Sequence, residues 1–126
     1  MSLAAAHADT FYREVAASGR VWAIRDSDGF PAPRSDGVRA MPFWSSRDRV
    51  ELIIKAVPTY ASFTPVELRL AEFLERWLPG LDRDKLRVGL NWSGDRATGY
   101  DVDPSTVVAA IERRRISTSN QRLERP

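Results

Sequence analysis

The sequence predicts an α+β fold: a single domain with a mostly antiparallel sheet of about four strands and about four helices, in the order αββαβαβα. Three observations carry this. Segments with apolar residues every three or four positions interleave with short alternating or β-branched segments. The connections between them hold Gly, Pro, Asp and Ser, the residues that turn a chain. The chain has 126 residues, 43% hydrophobic and 29% charged, which suits one domain and would cramp two independently cored ones. The pattern leaves strand order open.

Residues 4–18 read as an amphipathic helix, with Ala4, Ala8, Phe11, Tyr12 and Val15 at helical spacing. Gly19 then takes the left-handed position that ends a helix. Val21 to Ile24 favours a strand, and Asp26-Ser27-Asp28-Gly29 a turn. Residues 30–37, with Pro31 and Pro33, read as an irregular connection. Residues 38–44 form a second strand, in which Pro42 marks an edge or a bulge. Ser45 with Asp48 resembles a capping box, and Val50, Ile53, Ile54 and Val57 line one face of the helix that follows until Pro58.

Residues 63–70 admit two readings. Thr64-Pro65-Val66-Glu67 can start a helix, yet Val66, Leu68 and Leu70 alternate as in a strand. Leu68 lies off the helical stripe, which favours a short strand entering a helix near Ala71 that stops at Pro79-Gly80. Residues 86–93 are the clearest strand, with Leu86, Val88, Leu90 and Trp92 on one face and Arg87, Gly89, Asn91 and Ser93 on the other. A loop over 94–99 leads to Asp103 and Pro104, N-cap and first residue of a helix to about Arg114. The domain is assigned to residues 1–116. Residues 117–126, with Leu123 as their one large apolar side chain, are expected to form a flexible basic tail.

Composition narrows function. Without cysteine there is no disulfide framework, thiolate metal site or cysteine nucleophile. The single histidine, His7, removes most histidine-based constellations and is expected to be an exposed helix residue. No apolar run approaches a membrane span, so the expectation is a soluble, cytoplasmic protein. The formal charge is +2, but residues 112–126 hold five Arg against two Glu, so the first 111 residues are close to neutral. Nucleic acid is therefore a disfavoured partner, because field-driven binding needs a basic face. The acidic pairs Asp26/Asp28, Asp82/Asp84 and Asp101/Asp103 lack calcium-loop spacing, since position 5 after Asp26 is Phe30 and position 12 is Gly37. Neither a phosphate-binding glycine loop nor a Gly-x-Ser-x-Gly elbow is present. No catalytic residue, metal ligand or cofactor is assigned.

Several landmarks stand in a particular order. Gly19-Arg20-Val21-Trp22 is followed by Asp26-Ser27-Asp28-Gly29 and Phe43-Trp44-Ser45-Ser46. Residues 66–78 (Val-Glu-Leu-Arg-Leu-Ala-Glu-Phe-Leu-Glu-Arg-Trp-Leu) and Arg87-Val88-Gly89-Leu90-Asn91-Trp92 complete the set. Over residues 10–112 the chain resembles the bacterial family known as domain of unknown function 2750. The resemblance implies a small stand-alone α+β domain in which the segment at 66–78 is a strand feeding a helix. It implies no activity and no catalytic residues.

Of the four tryptophans, Trp22, Trp77 and Trp92 read as core. Trp44 reads differently, at a strand-to-helix junction where free backbone N–H groups can receive an anion. The candidate ligand or partner site is therefore Trp44, Ser46 and Arg47, with Asn91 from the polar face of the last strand. Arg113, Arg114 and Arg115 are candidate contacts for an acidic partner. The functional expectation is a non-enzymatic protein-interaction module, an adaptor or an immunity-type protein, with another protein as partner. The alternatives are an anion- or ligand-binding protein or enzyme using the Trp44/Arg47 region, and a weak nucleic-acid binder acting through the arginine-rich C-terminus.

Overall fold

A computed structural model describes residues 3–35, 37–94 and 98–124, with side chains placed for residues 5–34, 37–94 and 99–115. The fold is α+β. Helix α1 (Leu3–Ser18) leads into β1 (Arg20–Arg25), β2 (Arg34–Ser35), β3 (Val38–Phe43) and α2 (Arg47–Ala56). After a 3-10 turn at Pro58–Tyr60 come β4 (Thr64–Arg69), α3 (Leu70–Glu72), a π-turn at Phe73–Trp77 and α4 (Leu78–Arg83). Strands β5 (Arg87–Ser93) and β6 (Thr98–Val102) and helix α5 (Pro104–Glu124) complete it.

One sheet has the order β2-β3-β5-β6, and β1 pairs with β4 in a second. A single bridge joins them: Trp22 and Trp44 exchange both backbone hydrogen bonds, each 2.8 Å. All pairings are antiparallel except β3 with β5, which run parallel. Alternation along the strands sorts side chains into two cores. Val21, Ala23, Phe43, Val88 and Leu90 join α1, α3, α4 and α5 on one side; Ile24, Ala40 and Trp44 join α2 on the other. The sheet is thus the middle of three layers.

Local sequence accounts for several boundaries. Gly19 has φ of 72° and its N–H closes α1 on the Val15 carbonyl at 2.9 Å, as expected of a C-terminal glycine. Segment 64–69 is a strand, with Leu68 buried, and the chain enters α3 at Leu70, one residue earlier than expected.

Other boundaries differ from the sequence expectation. Ser46, not Ser45, caps α2: its hydroxyl accepts from the Arg49 N–H at 3.3 Å. The helix does not stop at Pro79-Gly80. The wide π-turn, in which the Leu78 N–H reaches the Phe73 carbonyl, precedes Pro79, where a regular helix would lose a donor and meet the proline ring. The stop falls at Lys85, left-handed with φ of 60°, where Leu86 N–H bonds Leu81 O and Lys85 N–H bonds Asp82 O. This is the Schellman pattern, here without glycine. Residues 34–35 and 98–99, expected to be irregular, and residues 100–102, left unassigned, pair with β3 and β5. Helix α5 continues beyond Arg114 to Glu124, and the side chains of 116–126 lie outside the described residues.

Candidate functional site

The predicted site centres on the junction between β3 and α2. Trp44 is 1% exposed and belongs to the α2-side core, which Trp22 only partly enters, as Trp77 does the core on the other side. It falls on the α2 face of the sheet, and its indole N–H donates to the Trp92 carbonyl at 2.9 Å. Asn91 is also buried, at 2%, whereas alternation placed it on a polar face. The cause is a bulge between Leu90 and Ser93 in the β5–β6 pairing. Asn91 takes φ of 50° there, a conformation asparagine tolerates better than most residues.

The slip also changes the face of Trp92. Leu86, Val88 and Leu90 pack against the α1 side, but Trp92 lies with the α2 side, over Gly89 and Gly99. Burial of Trp92 was expected; its face was not.

The Asn91 amide is aimed at Ser45. Its Oδ1 accepts from the Ser45 N–H at 2.9 Å, and its Nδ2 donates to the Ser45 hydroxyl at 2.9 Å. That hydroxyl donates in turn to Glu14 Oε1 at 2.5 Å. Arg49 completes the set with Nε to Oε1 at 3.0 Å and Nη2 to Oε2 at 3.1 Å. The bidentate bond to Arg49, more than the bond from Ser45, holds the Glu14 carboxyl below its usual range, although burial opposes this. Arg49 is correspondingly raised. No buried side-chain nitrogen or oxygen among the described residues lacks a partner.

The four predicted residues are only partly brought together. Trp44 and Asn91 line a recess of about 80 Å³ with His7, Arg49 and Trp92. His7 thus faces this recess and is half-buried, not an exposed helix residue. Ser46 caps α2, and its surroundings include the carboxylates of Glu14 and Asp48. Arg47 points away, donating to Glu51 at 2.7 Å with its guanidinium 5.8 Å from the centroid of the Trp22 ring.

A larger concavity lies elsewhere. Helices α1 and α5 and strand β6 wall a groove of about 520 Å³ whose lining includes Asp9, Tyr12, Tyr100, Arg113 and Arg114. Ala5, Ala8 and Ala110 leave it space, because none extends past a methyl group. Arg114 donates to Asp9 at 2.5 Å and its guanidinium sits 5.9 Å from the centroid of the Tyr12 ring. Burial, and then proximity to Tyr100, raise the Tyr12 phenol, with Arg114 and Arg113 acting against them. Tyr100 is 42% exposed. Arg115 pairs with Glu112 at 3.3 Å, whereas Arg113 is exposed and has no ion-pair partner among the described residues. Of the three arginines expected to meet an acidic partner, two therefore line the groove.

Sequence reasoning missed Tyr100 because it missed β6. Tyr100 and Val102 alternate just before Asp103-Pro104, a faint strand signal in a segment that Gly99 and Asp101 weaken. The two aspartates bracketing Val102 have a local role: Arg87 donates to Asp101 at 2.7 Å and to Asp103 at 2.8 Å, tying β5 to β6.

The model of the family described as "Protein of unknown function (DUF2750)" matches residues 8–111. The chain belongs to the DUF2750 family. Among curated proteins, none matches it. The matched span takes in α1 from Ala8 onward, all the strands and the first part of α5, Pro104–Ile111. It ends two residues before Arg113, so the arginine wall of the groove lies past it. Among the described residues no group of three metal-binding side chains occurs, and no helix is long and apolar enough to cross a membrane.

Proposed function

We propose that this DUF2750 protein is a protein-interaction module, an adaptor or immunity-type protein of the bacterial cytoplasm, that meets its partner at the α1/β6/α5 groove. The observation that carries this reading is the groove itself, where two tyrosine rings and two guanidiniums face one open concavity. Tyrosine and arginine are the residues that concentrate binding energy at interfaces, because each buries a large rigid group and still offers a polar end. The junction offers less to a ligand. Trp44 is buried, Arg47 is held by Glu51, and carboxylates stand near the start of α2.

The test is affinity capture from the native host with the full chain as bait, read by quantitative mass spectrometry. The comparison bait carries Tyr100→Ala and Arg113→Glu, both at exposed positions. A partner retained by the natural chain and depleted about tenfold or more on the double variant supports the reading, as loss of interface anchors implies. Equal retention by both baits, or no specific partner, overturns it.

A further inference from the structure

The charges of the groove specify its occupant further. Of the two guanidiniums in its lining, Arg114 is held by Asp9, a carboxylate supplied by the chain itself. Asp9 also accepts from Arg13 at 3.4 Å, so it stands between two cations. Arg113, one residue before Arg114, reaches the same concavity with no carboxylate answering it among the described residues. Tyr100 lines the same groove, 42% exposed, on the strand at the rim of the sheet. A cation unpaired among the described residues and an exposed aromatic ring in one groove are together complementary to an anion attached to an apolar group.

We infer that the groove takes an acidic protein segment, one carboxylate of which pairs with Arg113 while an adjacent apolar side chain lies against Tyr100, and that Asp9 occupies on Arg114 the place of a second such carboxylate. The inference rests on the interaction reading above and adds the chemical class of the partner. It also makes Asp9 an internal competitor. A segment with two acids must either leave Arg114 to Asp9 or displace it, so the natural chain binds such a segment less tightly than the groove allows.

The experiment is a titration of the isotope-labelled full chain, followed by NMR, with two acetylated and amidated hexapeptides. One contains four glutamates and two leucines; the other has glutamine in place of every glutamate. The acidic peptide is expected to shift amides of α1, β6 and the first part of α5, and to bind at least about fivefold more tightly than its neutral counterpart, the ratio a partly exposed ion pair supports. Added salt weakens the acidic peptide and leaves the neutral one unchanged. Arg113→Gln lowers affinity for the acidic peptide by a similar factor, and Asp9→Asn raises it. Thermal melting of both variants confirms that each is folded before titration.

Equal binding of the two peptides, shifts confined to another surface, or no binding of either at millimolar concentration overturns the inference. Unchanged or reduced affinity in Asp9→Asn overturns the role given to Asp9. If the acidic class fails while capture from the host still depends on Tyr100 and Arg113, the interaction reading stands with a different partner chemistry. If that capture fails as well, both are lost.

Discussion

The β3–α2 junction and the α1/β6/α5 groove use the same groups to opposite ends. Each sets an arginine against a carboxylate of α1, Arg49 with Glu14 in the first and Arg114 with Asp9 in the second. At the junction the account closes. Glu14 accepts from Arg49 and Ser45, Ser45 is held by Asn91, and among the described residues no buried side-chain nitrogen or oxygen is left without a partner. In the groove it stays open: Arg113 has no ion-pair partner among the described residues, and Tyr100 is exposed. A polar cluster with every bond made internally positions elements; recognition needs a group left unanswered at a surface. The sequence expectation named the first region as a ligand or partner site and Arg113, Arg114 and Arg115 as acidic-partner contacts, and two of those arginines line the second.

This contrast can be broken by substitution. The largest expected effect is Trp92→Ala, which removes the indole beneath the junction and should cost about 3–5 kcal/mol in urea unfolding. A loss under about 1 kcal/mol would mean that the α2-side core does not depend on it. Asn91→Ala comes next, at about 2–3 kcal/mol. It strands the Ser45 N–H, takes away the donor to the Ser45 hydroxyl, which keeps its bond to Glu14, and places alanine at φ of 50°. Asn91→Gly relieves the backbone without restoring the bonds, so it should recover part of that loss. Full recovery would assign the cost to strain alone.

Acid should open the junction selectively. The Glu14 carboxyl lies below its usual range in the folded chain, so its ionised form is favoured by folding. That contribution is complete above the ordinary glutamate range near 4.3 and fades as pH falls through the lowered folded value. Side-chain exposure near one third at both Glu14 and Arg49 lets water screen the pair, so about 1 kcal/mol is at stake. Urea unfolding at pH 7 and pH 3 should show the natural chain losing more stability on acidification than Glu14→Gln; equal losses would remove Glu14 from the acid response.

The smallest effects belong to the groove. Tyr100→Ala and Arg113→Gln should each change stability by no more than about 0.5 kcal/mol, since both side chains are exposed. Removal of residues 118–126 should likewise leave the melting transition of the body in place. Destabilisation of the body by either arm would make the groove structural, like the junction.

Legibility followed the range of the forces involved. Gly19 ending α1, the α2 segment before Pro58 and the passage from β4 into α3 are set by neighbours in sequence, and all were readable. The Asn91 bulge was not. It depends on how β6 aligns with β5, and β6 itself carries Gly99 and Asp101 where a strong strand would carry branched residues. From the bulge follow the inward turn of Asn91 and the transfer of Trp92 to the other core. The burial of Trp44 was hidden for a related reason, since neighbours in sequence do not reveal that Trp92 offers its carbonyl to the Trp44 indole. The arginines were legible as charges, but the groove they line needs three elements brought together.

The seat of Trp92 has a consequence for how substitutions combine. A methyl group at Gly89 would meet the indole ring at 2.4 Å, and one at Gly99 would meet it at 2.8 Å. Gly89→Ala is therefore harmful with tryptophan at 92 and more tolerable with a smaller ring there, a non-additive pair. The smaller ring has its own cost: Trp92→Phe lacks the N–H that reaches the Tyr100 carbonyl at 3.1 Å, the bond that steadies β6 beneath the exposed tyrosine. Positions 89, 92 and 99 behave as one mutational unit, and the route from that unit to the groove runs through the backbone of Tyr100.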